Sequence, residues 1–271
     1  MGILITDLDP ATDYSSRALY KIITPNAFFT AAGISNPVIK SAITTLMDDL
    51  INKNIWTKLQ AVYPFVGGTA DSHKINLKDP RDLDAAYRIV FTGGVHSSLG
   101  FNGNVGGYGN TFILPPTFSG KHISFYNTGP QTSVGIPLGL ITSTGGNQFK
   151  LTRDLGSLTN ATQGGNQTAS ASAGYDRTKK GFLLSQRISV SDLKVYDNGT
   201  QIASNTSTIV ENVGANVNAF HLGTIKNQAG GMQYASAVPL GFASYGDALT
   251  LTEIADFTAA VIKFQTALGR A

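Results

Sequence analysis

The span from Gly93 to Asn110 holds side chains that could bind a polar ligand. Four residues are the candidates there, His96, Asn102, Asn104 and Tyr108, and they stand among glycines. An imidazole and two amides can exchange hydrogen bonds with hydroxyl groups, and a tyrosine ring can stack on the apolar face of a sugar. Gly and Asn are also the commonest turn formers, so the span can equally serve only to shape turns. The pattern indicates a candidate ligand site and leaves that alternative open.

Hydrolysis of a glycosidic bond would need two carboxyl groups about 5–9.5 Å apart. Glu211 and Glu253 are the only glutamates; Glu253 fits a helix cap and Glu211 stands alone in a polar stretch. Asp82 and Asp84 have the spacing that puts two side chains on one face of a strand, but they follow Pro80 in a stretch typical of a turn. No serine lies in a Gly-x-Ser-x-Gly elbow, and no phosphate-binding loop is complete. The sequence predicts a protein that is not an enzyme and has no catalytic residue.

Metal, cofactor and nucleic-acid sites lack their usual sequence patterns. The chain has no cysteine, and its four histidines are too scattered for the short spacings of metal ligands. A calcium site built from loop oxygens remains open, although no EF-hand-like run marks one. The densest basic group, Arg177, Lys179 and Lys180, is too small to follow a nucleic-acid backbone. We therefore expect no metal, no cofactor and no nucleic-acid partner.

The composition narrows the class of protein. The 271 residues carry 20 Lys plus Arg and 17 Asp plus Glu, a formal net charge of +3, and only 14% are charged. Apolar residues at 42% exclude most disordered chains, and no apolar run approaches the roughly 18–20 residues that cross a bilayer. The first residues lack the basic and apolar regions of a secretory signal. Together with 30 glycines, this profile predicts a soluble globular protein rich in β-structure.

Short alternating segments fill the middle of the chain. After Gly68, apolar and polar residues alternate at period two over runs of four to eight residues, such as 134–140, bounded by Gly, Pro, Asn or Asp. Asn198-Gly199 separates two such runs and predicts a type I′ hairpin turn. The polar stretch from Asn160 to Ala173 predicts a long surface loop. The pattern is typical of a β-sandwich or jelly roll.

Two amphipathic helices frame these strands. From Pro37, apolar residues at three- and four-residue steps predict a helix capped by Asn36, and the stripe extends to Leu59 past a break at Asn52 and Asn54.

The C-terminal helix has clearer ends. Thr250 and Glu253 fit a capping box, apolar residues follow at helical spacing, and Gly269 ends the pattern. Arg270 is expected to favour the negative end of this helix. Trp56, the only tryptophan, is interpreted as a core anchor, with a sugar-stacking platform as its alternative.

The fold prediction is mainly β: a two-sheet antiparallel jelly roll, or concanavalin A-like sandwich, with an N-terminal and a C-terminal helix. Residues 1–30 are predicted to form an arm or docking segment, 31–66 a helical segment, and 67–271 the jelly-roll domain ending in the C-terminal helix. A locally packed coil is the alternative for the N-terminal residues, because chain ends are poorly ordered unless something holds them.

Several short motifs resemble those of a family of concanavalin A-like, laminin G-like lectin-fold proteins. These motifs lie at 31–34, 55–59, 63–69, 73–78, 96–98, 198–199, 222–223, 242–250 and 263–270. The family recurs in tailed phages, notably those of Bacteroidetes hosts, and in related marine viral sequences. The resemblance covers roughly residues 28–271, and residues 1–27 fall outside it.

The resemblance implies a virion structural protein at the particle surface: a head or tail fibre, a spike or a decoration protein. Such a protein would contact other virion proteins through the N-terminal arm, form a homo-oligomer, and present a lectin-like domain to host-surface carbohydrate. The family supplies no settled ligand residues. Two alternatives stay open: a free bacterial glycan-binding or glycan-cleaving protein, and a scaffold without any ligand.

Overall fold

The chain folds into three layers. The computed structural model describes residues 25–103, 106–130, 135–141, 148–154, 157–164, 167–174, 179–208, 218–226, 229–233 and 235–271. Two antiparallel sheets face each other, and helices cover the outer face of one of them. The helices are α1 over 25–31, α2 Pro37–Asn52, α3 Ala70–His73 and α4 Leu251–Ala267, with 3₁₀ turns at Trp56–Lys58 and Asp84–Ala86. The predicted mainly β sandwich with a helix near each end is confirmed.

The described residues contain seventeen strands, numbered in chain order. They are β1 Leu59–Tyr63, β2 Val90–Thr92, β3 Val95–Ser97, β4 Gly100–Asn102, β5 Tyr108–Asn110, β6 Lys121–Asn127, β7 Gly135–Ile141, β8 Gln148–Asp154, β9 Ser157–Gly164, β10 Gln167–Gly174, β11 Gly181–Ser189, β12 Asp192–Asp197, β13 Thr200–Asn205, β14 His221–Leu222, β15 Ile225–Lys226, β16 Met232–Gln233 and β17 Pro239–Asp247.

The inner sheet has the order β13-β12-β11-β6-β17-β4-β3, and β1 pairs with the end of β17. The outer sheet has the order β10-β9-β8-β7-β14-β5-β2, and β15 and β16 form a separate two-stranded ribbon. Edge strands β3 and β2 follow each other in the chain, so the two sheets meet at that end.

Alternation along the inner sheet separates two apolar cores. Phe125 of β6 faces the outer sheet, whereas its neighbour Tyr126 faces the helices. In β17 a register shift between Leu240 and Phe242 interrupts the alternation, so these two residues point to opposite sides of the sheet although they are two positions apart. The sandwich core is therefore built from both sheets, and the helix-side core from α1, α2, α4 and the inner sheet.

Local motifs set the ends of the elements. The Asn36 side chain accepts hydrogen bonds from the backbone at Val38 and Ile39, and Pro37 occupies the first turn of α2. Thr250 and Glu253 form both bonds of a capping box at α4. These predicted caps are confirmed.

The predicted hairpin is also confirmed. Asn198 and Gly199, with φ of 47° and 81°, connect β12 to β13.

Two predictions about local structure are wrong. The stretch from Asn160 to Ala173 is not a loop, since most of it lies in β9 and β10, which pair with each other. The loop was predicted from the low hydrophobicity of this stretch. Backbone hydrogen bonds between strands do not require apolar side chains, however, and Thr, Ser and Ala tolerate the extended backbone. The helical stripe does not reach Leu59, because Asn54 adopts a φ of 58° and the chain then enters β1.

The predicted segment boundaries stay a prediction, with two structural facts beside them. Helix α1 lies partly within the predicted arm 1–30, and residues 1–24 lie outside the described residues. Strand β1 belongs to the predicted helical segment 31–66 but pairs with β17 in the inner sheet. Within the described part of the chain, no helix combines the length and apolar character needed to cross a bilayer.

Candidate functional site

The predicted ligand residues lie on different faces of the sandwich. His96 points between the sheets, where its ring lies 4.5 Å from that of Phe91 and 5.2 Å from that of Phe101, centroid to centroid. Asn102 follows Phe101 in β4, so alternation places it on the opposite face of the inner sheet.

Tyr108 lies on the outer face of the outer sheet, with its ring 6.0 Å from the ring of His221. Asn104 lies outside the described residues. The three described members of the predicted set therefore do not converge on one surface, and their role in ligand binding stays a prediction.

His96 instead pairs with His73, a residue that the sequence did not single out. The two Nδ1 atoms are 3.0 Å apart, and the Nε2 of His73 is buried without a hydrogen-bond partner. Only one of the two Nδ1 atoms can carry the shared proton. With the proton on His73, the buried Nε2 of His73 is an acceptor without a donor; with the proton on His96, that Nε2 carries an N–H without an acceptor. A buried N–H without an acceptor is the rarer of the two, so the proton belongs on Nδ1 of His73. Burial, with smaller contributions from His96 and Arg270, lowers the pKa of His73 to about 3. Both rings are neutral at pH 7, because burial also lowers the pKa of His96.

Glycines of the candidate loop serve close backbone packing. A Cβ atom on Gly107 would lie 2.3 Å from the backbone nitrogen of Gly94 and 2.4 Å from the carbonyl oxygen of Gly103. A Cβ atom on Gly223 would lie 3.0 Å from the carbonyl oxygen of Gly107. At these positions the structure supports the turn-shaping interpretation of the glycines.

The candidate acids are engaged in exposed ion pairs. Asp82 contacts Lys74 at 2.9 Å and Arg88 at 3.0 Å, and Asp84 contacts Arg88 at 2.8 Å. Hydrogen bonds from Lys74 and then Arg88 lower the pKa of Asp82, so it stays ionised. Glu253 caps α4 and contacts Lys58, as a structural carboxylate would.

Glu211 lies outside the described residues. Among the described residues, no cluster of three or more His, Asp or Glu could hold a metal ion.

A serine–histidine contact that the sequence did not reveal lies beneath α4. Nδ1 of His122 is 2.6 Å from the carbonyl oxygen of Asp247 and must donate to it, which leaves Nε2 to accept from the hydroxyl of Ser244 at 3.3 Å. Ser244 in turn lies 2.6 Å from the hydroxyl of Ser124. All three side chains are buried, at 2% exposure or less, so no substrate can reach them. This chain of hydrogen bonds is structural.

Trp56 is a core residue and not an exposed stacking platform. Its side chain is 4% exposed, and the Nζ of Lys78 lies 4.2 Å from the ring centroid. Lys78 also donates to the carbonyl oxygen of Trp56, at 2.6 Å. Burial lowers the pKa of Lys78 to about 8.

A recess lies where α2 begins and α4 ends. It has a volume of about 610 Å³. Its walls come from four separate stretches: residues 33–36 with 38 and 39, Gly67-Gly68, Ser98, and the group Ala267, Leu268 and Arg270. We call it the Arg270 recess. It adjoins the candidate loop only through Ser98, in the turn between β3 and β4.

The walls of the Arg270 recess offer both polar and aliphatic groups. The hydroxyls of Ser35 and Ser98 make no hydrogen bond to another described residue. Gly67 and Gly68 have φ of 86° and 75°, a backbone form that glycine adopts without strain. Ile34, Val38, Ile39 and Leu268 supply the aliphatic surface. A ligand there would meet free hydroxyls, exposed backbone and apolar patches together.

Arg270 is the one charged residue of the described part of the chain that lines this recess, and it is only 3% exposed. Its Nη1 donates to the carbonyl oxygen of Gly241 at 3.3 Å, and its Nη2 donates to that of Phe65 at 2.9 Å. Its Nε is buried without a partner. Burial lowers the pKa of Arg270 to about 10, so the group remains charged at pH 7. The Arg270 side chain thus bonds to strand β17 at Gly241 and to the turn after β1 at Phe65, and not to the last carbonyls of α4, whose negative end it was expected to favour.

A second groove of about 450 Å³ runs between α2 and α4 and shares Val38 and Ala267 with the Arg270 recess. Its walls include Ser41 and Lys263. Lys263 is paired with Asp49 at 2.8 Å, so no unpaired charge faces this groove within the described residues.

No protein-family model matches this sequence, and no curated protein matches it. Among solved structures, Ruminococcus gnavus IT-sialidase CBM40 bound to α2,3 sialyllactose has a TM-score of 0.44 and 15% identity over 51% of this chain and 82% of that one. A structure of botulinum neurotoxin type C, concerned with cell entry through two ganglioside molecules, has a TM-score of 0.49 and 9% identity over 77% of this chain. HCR/D-Sa-GBL1/C has a TM-score of 0.50 and 10% identity over 76% of this chain.

These similarities concern the fold alone. The match spans 52% of the length of each of the last two chains. The similarity to HCR/D-Sa-GBL1/C agrees with the two-sheet sandwich described above.

Proposed function

We propose that this protein is a non-enzymatic, lectin-like component of a viral particle surface that binds carbohydrate. The observation that carries the binding role is the Arg270 recess, in which free hydroxyls, glycine backbone and aliphatic side chains line one cavity of about 610 Å³. This volume lies within the range of small-ligand sites, roughly 300–1,000 Å³. Sugars present both hydroxyl groups and apolar C–H faces, so this mixture of groups suits them.

The positions of the carboxylates support binding without hydrolysis. Residues 33–39, 67–68, 98 and 267–270 include no Asp or Glu, and glycoside hydrolysis needs a pair of them. Asp82 and Asp84 are paired with lysine and arginine at a different surface. The described residues therefore offer a surface for adhesion and no acid–base pair beside the recess.

The fold supports this proposal only by analogy, because one sandwich fold serves many functions. Two of the solved structures named above concern binding of sialyllactose and gangliosides by those proteins. The proposal for this chain depends on its own recess and not on them.

A glycan array with the purified protein tests the binding role. The exposed residue Ser35 lines the Arg270 recess, and the exposed residue Ser41 lines the neighbouring groove, so they form a matched pair. We expect Ser35→Trp to abolish retention of the glycans that the wild-type protein binds, whereas Ser41→Trp leaves it unchanged. Release of reducing ends from a polysaccharide panel would contradict the non-enzymatic role, and an array without any signal would favour the scaffold alternative.

The virion role rests on the sequence resemblance and is tested separately. Antibody labelling of particles from a host that carries the gene should place the protein on the particle surface. Removing residues 1–24 leaves α1 in the chain; we expect this truncated protein to keep the fold and to be lost from assembled particles. Normal incorporation would remove the proposed role of the N-terminal arm. Recovery of the protein only free in the medium would favour the free glycan-binding alternative.

A further inference from the structure

The charge of Arg270 has no counter-charge among the described residues. Its side chain is 3% exposed, no described carboxylate lies within ion-pair distance, and burial is the cause that lowers its pKa. Two carbonyl oxygens partly solvate the guanidinium, and its Nε has no partner. A buried charge without its counter-charge is costly, so such groups occur where something else compensates them.

The N-terminus of α2 adds positive potential beside the same recess, although its Val38 and Ile39 N–H groups already donate to the Asn36 side chain. Helix α2 has 16 residues and begins beside Ser35 and Asn36, which line the cavity. Its first turn contains no acidic residue, so the positive end of the helix dipole is not offset there by a carboxylate. Among the described residues, no acidic side chain lines the recess. As far as the structure describes the chain, the recess thus combines one buried cation and one helix N-terminus with no negative charge.

We propose that the Arg270 recess binds the carboxylate of an acidic saccharide. This inference rests on the proposed function and adds the charge of the sugar to it. The carboxylate would compensate the charge of Arg270 and the N-terminus of α2, while the hydroxyl of Ser35 would bond a sugar hydroxyl. A recess of about 610 Å³ with aliphatic walls is larger and less polar than a free inorganic anion requires.

The test compares matched pairs of neutral and acidic sugars. Titration calorimetry with glucuronate and glucose, and with galacturonate and galactose, should show at least tenfold tighter binding of each acid. Added NaCl should weaken the binding of the acids, because mobile ions screen the attraction between charges.

Variants at Ser98 place this effect in the Arg270 recess. Ser98 lines the recess, is exposed and lies in a turn, so its replacement should be tolerated better than that of Arg270. Ser98→Asp brings a negative charge to the recess and should weaken binding of the acids at least tenfold; Ser98→Asn, of similar size but neutral, should change it less than threefold. The fluorescence of Trp56 checks that both variants are folded.

Other outcomes overturn the inference in distinguishable ways. If acids and neutral sugars bind equally and Ser98→Asp has no effect, the charge selectivity is wrong and the proposed carbohydrate binding stands. If inorganic phosphate binds and no saccharide does, the recess is an anion site of another kind, and both proposals fail.

Discussion

The Nη2 atom of Arg270 donates a hydrogen bond of 2.9 Å to the carbonyl oxygen of Phe65. Phe65 is fully buried and has a φ of 43°, a left-handed backbone form that is rare for a bulky residue. Its ring lies against those of Tyr63 and Phe101, at centroid distances of 6.3 and 6.4 Å. Arg270 and these aromatic contacts therefore hold a strained turn that leads directly into a wall of the recess.

Replacing Arg270 with lysine should lower the free energy of unfolding by about 2 kcal/mol, since an ammonium group cannot bond two separated carbonyls as the planar guanidinium does. Urea unfolding, followed by the fluorescence of the single, buried Trp56, measures this loss. Arg81→Lys is the matched control, because the Arg81 side chain is 64% exposed, and it should change stability by less than about 0.5 kcal/mol. Equal effects of the two changes would contradict the bracing role of Arg270.

Local motifs made part of this fold predictable from sequence. The caps at Asn36 and Thr250 and the turn at Asn198-Gly199 depend on residues within a few positions of each other, so their types suffice. The Arg270 recess joins residues from 33 to 270, and nothing within any one stretch marks the others. The same holds for His73 and His96, which are 23 positions apart and meet only because α3 lies against the edge strand β3 in the folded protein.

Gly107→Ala should destabilise the protein by about 3 kcal/mol, the upper range for overpacking a tight interior. The new methyl group would lie 2.3 Å from the backbone nitrogen of Gly94, and backbone cannot move aside as a flexible side chain can. Gly106→Ala is the control next to it: no atom lies within 4 Å of its Cβ position, so only the φ of 95° opposes it. We expect about 1 kcal/mol for that change. Thermal unfolding of both variants tests the difference, and similar losses would show that the close packing is absent.

Acid should destabilise the protein below about pH 6.5 because its histidines are buried in the neutral form. Burial lowers the pKa of His122 to about 4 and that of His221 to about 4, from an ordinary value of 6.5. The unfolded chain then binds more protons than the folded one as the pH falls, so stability present above pH 6.5 is lost progressively toward pH 4. Each of these two groups should cost about 2 kcal/mol at pH 5.

Urea unfolding at pH 7, 6 and 5 measures this slope while the carboxylates remain ionised. His122→Gln removes one titrating group. Around His122, the carbonyl of Asp247 favours the protonated ring, whereas the positive charges of Lys121 and Lys58 disfavour it. Relative to its own stability at pH 7, the variant should lose about 2 kcal/mol less than the wild-type protein by pH 5. An unchanged slope would mean that His122 is not the buried neutral group described here.

Ser244 should be inert toward reagents that label catalytic serines, although its hydroxyl lies 3.3 Å from the Nε2 of His122. Its side chain is 2% exposed beneath α4, so a fluorophosphonate probe cannot reach it in the folded protein. Ser244→Ala should nevertheless cost about 1–3 kcal/mol of stability, because it leaves Nε2 of His122 without its donor in a buried place. The exposed Ser207→Ala is the control and should leave stability within about 0.5 kcal/mol of the wild-type value. Labelling of native protein that Ser244→Ala abolishes would show a reactive serine and would argue for an enzyme after all.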